Sequence, residues 1–338
     1  MALSGDVTLA HGSGGRLSHD LLYKLFLPYL GNPILADLGD SAVLAMDGAR
    51  LAFTTDSYVI SPIFFPGGDI GKLAICGTVN DLAVAGAEPR YLSAGFILEE
   101  GLSFGVLERV VASMGETVRA AGVQIVTGDT KVVERGAADG LFINTAGVGT
   151  VPAGLSLGPD HLRPGDRILV SGTMGDHGLA VMIGREGLDL RSDLVSDCAP
   201  LNGLVAGLLA ACPRGVRAMR DPTRGGLAST LNEWARAAGL GIAIAQASIP
   251  VREEVRAACE LLGLDPLYSP NEGKVVVAAA AEDADRALAA MRAHPLGRQA
   301  AVIGEVTAEH AGRAVLRTPF GARRLLEMLA GDQLPRIC

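Results

Sequence analysis

Apolar residues recur every three to four positions between Ser103 and Ala121. Val106, Val110, Met114 and Val118 form the stripe with Leu107 and Val111 beside it, while Glu108, Arg109, Glu116 and Arg119 take the opposite face. This spacing predicts an amphipathic helix. Short β-rich runs surround it at Ala42–Met46, Leu51–Thr55, Tyr91–Leu98, Gln124–Thr127 and Leu141–Val148, with an apolar helical stretch over Leu73–Ala87. Periodicity stops between Thr150 and Gly165, where Pro152, Pro159, Pro164 and several glycines interrupt it. A second block then predicts strands at Arg167–Ser171, Gly241–Ala245, Lys274–Ala280, Ala301–Val306 and Ala314–Arg317. Its helical patterns lie at His177–Arg185, Leu201–Cys212, Thr223–Ala238 and Ala322–Leu329. Beyond Gly331 the chain should be extended, because glycine closes a helix and Pro335 prevents its return.

The pattern therefore divides the chain into a Gly-rich arm over 1–38, an α/β domain over 39–150, a second over 160–330, and a tail over 331–338. The fold class is α+β, with two α/β domains of similar element mix and no internal repeat strong enough to claim duplication. The length of 338 residues suits two domains, and 49% hydrophobic against 20% charged residues places the chain among folded globular proteins. With 29 basic and 37 acidic residues, net −8, it lacks the electrostatic footprint of a nucleic-acid binder. No apolar run is long enough to span a bilayer, so neither nucleic acid nor membrane is an expected partner and a cytoplasmic setting is expected. The five cysteines form no C-x-x-C pair, which argues against a disulfide scaffold or a zinc ribbon. Cys76, Cys198, Cys212 and Cys259 read as core thiols, whereas Cys338 is the last residue.

The candidate chemistry is acidic. Gly67-Gly68-Asp69-Ile70-Gly71-Lys72-Leu73 misses the P-loop in spacing and in its final residue. Instead Asp40, Asp56 and Asp129 sit at predicted strand ends and Asp81 in the apolar helical stretch, a set suited to a hard cation such as Mg²⁺. Strand-end Asp residues also make turns, so no one of them is decisive. Asp221-Pro222-Thr223 reads as a helix start that buries Leu227, Leu231 and Trp234. Arg224-Gly225-Gly226 would then bring backbone N–H groups close to a phosphate, with Arg224 in contact with it. Gly175-Asp176-His177-Gly178 is a similar helix start in which His177 is either structural or functional. Glu272, in a Pro-Asn-Glu-Gly turn before an apolar strand, can be desolvated enough to act as a base or can be a plain turn residue. The tail beyond Gly331 can reach roughly 23–25 Å, so a thiol at its end could be loaded in one place and react in another.

Asp81-Leu82-Ala83-Val84-Ala85-Gly86-Ala87-Glu88-Pro89, read as D-x4-G-A-x-P, together with Gly128-Asp129-Thr130-Lys131, resembles the aminoimidazole ribonucleotide synthetase (PurM-like) superfamily. Within it, the arm His11–Arg16, Leu38–Ala42, Gly175–Gly178, Asp221–Gly226, Ser269–Lys274 and the terminal Pro335-Arg336-Ile337-Cys338 resemble the HypE family of hydrogenase maturation factors over essentially the whole chain. The resemblance implies N-terminal domains that pair into a homodimeric β-barrel, with ATP and Mg²⁺ held by acidic residues and the arm. It also implies a flexible tail whose Cys338 is carbamoylated by a HypF-type carbamoyltransferase, dehydrated with ATP to a thiocyanate, and drained as cyanide to a HypC–HypD complex for [NiFe]-hydrogenase. The positions that match are Cys338, Glu272 and Lys131 for catalysis. Asp40, Ser41, Asp56, Asn80, Asp81, Gly128, Asp129, Thr130, Asp221 and Arg224 match for nucleotide binding, and Asp40, Asp56, Asp81 and Asp129 for metal. A small-molecule enzyme of the same superfamily, such as a thiamine-phosphate kinase or selenophosphate synthetase, gives the tail no task. A thiol carrier without catalysis gives the acidic set none.

Overall fold

The computed structural model describes residues 8, 11, 15–30, 32–185, 193–328, 334 and 336–338. The arm runs as α1 (Arg16–Leu21), one π turn (Leu22–Phe26) and α2 (Leu27–Leu30). The first domain then comprises β1 (Ala42–Met46), β2 (Ala49–Tyr58), the short pair β3 (Phe64–Phe65) and β4 (Gly68–Asp69), α3 (Ile70–Val84), β5 (Glu88–Glu99), α4 (Phe104–Ala121), β6 (Gln124–Val133) and β7 (Leu141–Thr150). Asp47 and Gly48, both at positive φ, make the two-residue turn between β1 and β2 that matches strand twist.

The sheet order is β1-β2-β7-β5-β6, antiparallel except where α4 crosses over to set β6 parallel to β5. The predicted stripe of α4 is half realised: Val110 and Met114 are buried, with Ser103 and Gly122 as its caps. Helix α3 is capped by Asp69, which accepts from the N–H groups of Gly71 and Lys72. It is buried on nearly every side because it lies between the sheet and the second domain. Gly77 permits this, since a Cβ there would lie 2.2 Å from Tyr58 Oη.

The second domain contains β8 (Arg167–Val170), α5 (Asp176–Ile183), α6 (Asn202–Ala211), β9 (Val216–Arg220), α7 (Gly226–Ala238), β10 (Gly241–Ala245), α8 (Glu253–Leu262), β11 (Val276–Ala279), α9 (Ala284–Ala293), β12 (Ala301–Thr307), β13 (Ala314–Arg317) and β14 (Arg323–Leu326). Its sheet order is β14-β13-β10-β12-β8-β11-β9. Both faces are covered. Val276 and Ala278 pack with Leu227, Leu231 and Trp234 of α7 on one side, and Val277 and Ala279 with Leu204 of α6 and Met291 of α9 on the other. That double burial makes the central strands continuous apolar runs. No described helix is long and apolar enough to cross a membrane.

Three expectations need correction. Ala322–Leu329 is not a helix: Arg323–Leu326 pairs antiparallel with β13 after a turn at Thr318–Ala322, and only Leu326 is buried. Residues 329–333 and 335 lie outside the described residues, including Gly331 and Pro335. Helix α7 begins at Gly226, so Asp221 does not cap it. Gly225 and Gly226 take positive φ, and a Cβ on Gly226 would lie 2.7 Å from the carbonyls of Leu267 and Ser269. The close approach that this glycine permits is therefore to the protein's own backbone. Third, the described end of the tail is not extended throughout: Arg336 takes positive φ, and Leu334 and Ile337 are buried in the first domain's core.

Candidate active site

Three carboxylates converge where the domains meet. Asp40 precedes β1, Asp81 lies in the last turn of α3 and Asp221 follows β9. One oxygen from each lies within 4.8 Å of the others. Thr54 Oγ1 sits 2.7 Å from Asp81 Oδ2 and 2.9 Å from the Asp40 carbonyl, tying β2 to both. Arg220, the residue before Asp221, places Nε 3.0 Å from Asp40 Oδ1 and Nη1 2.7 Å from Glu233 Oε2. His19 of α1 completes the row at 3.0 Å from Glu233 Oε1, which fixes the arm against α7.

Burial raises the pKa of all three aspartates, and mutual repulsion adds to it. Asp221 is pushed up to about 7 by burial and then by Asp40, and Asp81 rises well above the carboxylate range through burial, Asp221 and Asp40. Asp40 also rises through burial, although Arg220 opposes the shift. Asp221 Oδ2 is buried without a hydrogen-bond partner. Desolvated, mutually repelling oxygens with an unused acceptor are the donor set a hard divalent cation would neutralise.

Glu272 forms a second pole. It is 2% exposed, its Oε1 has no partner, and its pKa rises well above the usual range through burial and the facing Cys198, Asp221, Asp56 and Asp197. The surrounding backbone is pinned: Glu272 N donates to Asp197 Oδ1 at 3.1 Å, and its carbonyl accepts from Asn80 Nδ2 at 3.0 Å. Gly273 lets this happen, because a Cβ there would meet the Asp197 carbonyl at 1.8 Å. Lys274 Nζ neutralises Asp197 at 2.9 Å and Asp176 at 3.6 Å.

The tail is the third pole. Val59 N donates to the Cys338 carbonyl and Ser61 N to the Arg336 carbonyl, each at 3.2 Å, an antiparallel register. Arg336 returns a bond from Nε to the Val59 carbonyl at 3.0 Å and pairs with Asp139 at 2.7 Å. His177 Nε2 lies 2.9 Å from the Ile337 carbonyl. Arg224 senses this pole. Desolvation opposes its charge, but the negative fields of Cys338, Asp56, Asp81 and Glu272 outweigh it and raise its pKa.

Asp40, Asp81 and Asp221 thus come together, with Asp56, Arg224, Glu272 and Cys338 in electrostatic range. Ser41 lies beside Asp40 with its Oγ buried and unpartnered. Asn80 spends its amide on Ala199, Leu201 and Glu272, so it holds the two domains together within the chain. Gly128, Asp129, Thr130 and Lys131 stand apart on β6. Asp129 and Lys131 pair at 2.7 Å with both side chains exposed, and the hydrogen bond from Lys131 lowers the Asp129 pKa. Asp56 and Asp129 are not in the three-carboxylate group. Sequence reasoning passed over Arg220, although it adjoins Asp221, and also Thr54, Asp197 and the arm's His19.

Residues 38–151 match the N-terminal domain of AIR synthase related proteins, and residues 163–317 match the C-terminal domain. The carbamoyl dehydratase HypE of Azotobacter vinelandii is 56% identical over 335 residues, covering 99% of this chain and 98% of that protein. HypE from a crystallised HypE–HypF complex is similar at TM-score 0.87 and 44% identity, over 91% of this chain and 99% of that one. HypE crystallised with ATP is similar at TM-score 0.82 and 53% identity, over 98% of this chain and 100% of that one. With likeness running from the arm to the tail at more than half of all positions, the chain belongs to the HypE family of hydrogenase maturation proteins.

Proposed function

We propose that the protein is an ATP-dependent carbamoyl dehydratase whose substrate is its own Cys338 after carbamoylation. The observation that carries this reading is the seated tail, whose Cys338 acts on Arg224 together with Asp56, Asp81 and Glu272. The S-carboxamide oxygen attacks the γ-phosphorus of ATP and ADP leaves. Loss of one N–H proton gives the O-phosphorylated species; loss of the second expels phosphate and leaves S–C≡N. The water equivalent departs within the phosphate, since phosphate is a far better leaving group than oxide.

Glu272 suits the proton transfers because burial has made it basic. Asp40, Asp81 and Asp221 would hold Mg²⁺, which supplies charge neutralisation to the ATP phosphates, and Arg224 adds a fixed cation. Asp56 and Ser41 stand beside that site as further nucleotide contacts.

The outer face of the first sheet supports the dimeric barrel. Phe53, Tyr91 and Ile97 are exposed on it, and among the described residues the ten-residue β6 is an edge strand along which Val126 and Val132 are also exposed. A second copy on that face would give Gly128–Lys131 a nucleotide to contact. The HypE–HypF complex supports a HypF-type carbamoyltransferase as the loading partner, and release of the tail would bring the thiocyanate to a HypC–HypD acceptor. Treating the carbamoylated protein with Mg-ATP should remove one water equivalent from the tail peptide in its mass spectrum. An unchanged tail while ATP is hydrolysed rejects the reading.

A further inference from the structure

Three consecutive tail carbonyls are held, and they alternate in what holds them. The carbonyls of Arg336 and Cys338 face the 59–61 segment and accept its N–H groups, with Arg185 Nη2 also 3.2 Å from the first. The intervening carbonyl, after Arg336 at positive φ, finds its partner on the second domain instead. The Ile337 carbonyl meets His177, whose side chain is fully buried at the start of α5.

The partners of the two His177 ring nitrogens fix the ring's proton. Ser196 Oγ accepts from Cys198 N at 3.0 Å and lies 2.8 Å from His177 Nδ1. The serine hydroxyl proton is thus free to go to Nδ1, which leaves Nε2 to carry the ring proton toward a carbonyl that can only accept. Ser196 is itself tied by its N–H to the Pro66 carbonyl at 2.8 Å, and Phe65 packs edge-on against the imidazole at 5.4 Å between centroids. The ring is therefore oriented from two sides before the tail arrives.

We infer that His177 is a positioning residue that latches the tail in the dehydration register, with Ser196 fixing the tautomer that lets it do so. It grips the backbone of the residue before Cys338, so it holds the tail whether the sulfur carries a thiol, a carboxamide or a thiocyanate. It touches no reacting atom. Loading requires the tail to leave and dehydration requires it to be seated, so the latch acts on one station only. This inference rests on the dehydratase reading above.

The test separates the two stations. His177→Leu removes the donor, whereas His177→Gln keeps an N–H near the position of Nε2. Each variant is carbamoylated with carbamoyl phosphate, ATP and the HypF-type transferase, and then given Mg-ATP in a single turnover. His177→Leu should dehydrate about tenfold more slowly, the scale of one buried hydrogen bond, while loading at the wild-type rate or faster. His177→Gln should recover most of the loss. Amide exchange at Val59 and Ser61, whose acceptors are tail carbonyls, should accelerate in His177→Leu. A wild-type dehydration rate, unchanged exchange at those two amides, or equal slowing of loading and dehydration overturns the latch. If His177→Leu does not fold, Ser196→Ala takes its place, with the same split expected at smaller size and the same results overturning it. Wild-type protein that never loses water would reject the dehydratase reading, and the exchange measurement would still decide the latch.

Discussion

Asp221 and Asp129 carry the same side chain in motifs of similar look, and the fold treats them in opposite ways. At Asp221 burial and two neighbouring carboxylates drive the pKa up to about 7, and one oxygen is left without a partner. At Asp129 the Lys131 ammonium and the Thr130 N–H hold it below the ordinary range on an exposed strand. One carboxylate is left desolvated with an unmet acceptor, and the other is paired within its own strand. An acidic motif therefore identifies a ligand site only through its desolvation and its unmet bonds.

The largest effect should come from Asp81→Asn. It leaves the shape of the cluster and removes one charge, and ATP-dependent loss of water from the carbamoylated tail should fall by about 100-fold or more. A rate within a factor of ten of wild type would show that the cluster is not the metal site. Arg220→Leu should destabilise the fold by about 3–5 kcal/mol in urea unfolding, because Asp40 and Glu233 both lose a part-buried partner. Carboxyl NMR titration of the metal-free protein should place Asp221 near 7 and Asp129 below the usual carboxylate range. A raised pKa costs stability above the unfolded value, so the Asp221 contribution should weaken the metal-free fold as pH rises from about 4 to 7. Mg²⁺ should reverse that loss, pull the Asp221 titration down and leave Asp129 where it is. Lys131→Ala should have the smallest effect, with no measurable change in the melting temperature of the nucleotide-free protein at a dilution that keeps the chains apart, because the pair it breaks is solvated in the single chain. A clear drop in melting temperature would mean that β6 is buried in solution.

Much of the fold was legible because α4 and α7 carry clean helical periodicity and the central strands are continuous apolar runs. The segment Ala322–Leu329 misled because its leucines repeat at helical spacing, while pairing with β13 decides its conformation. Helices α8 and α9 and strand β9 went unpredicted; β9 is only five residues long, and its Arg217 and Arg220 stand three apart, so it lacks the period-two alternation that marks a strand. At the site, residue type points to Asp40 and Asp81 together with Asp56 and Asp129, while Asp221 reads as a helix cap. Only the packing of α3 against β2 and β9 could show that Asp56 and Asp129 stand outside the trio. The bond from His177 to Ile337 spans 160 positions, and no local pattern encodes it.

Leu334 and Ile337 belong to the hydrophobic core of the first domain. The tail is thus a stopper as well as a substrate. Fully exposing two such side chains costs about 3–6 kcal/mol, so an unaided departure is populated in roughly one molecule in a hundred to one in ten thousand. A partner that loads or drains Cys338 must offer the two side chains an apolar berth of comparable depth, or wait for a rare escape. The traffic of this thiol is governed by the grease of the residues around it.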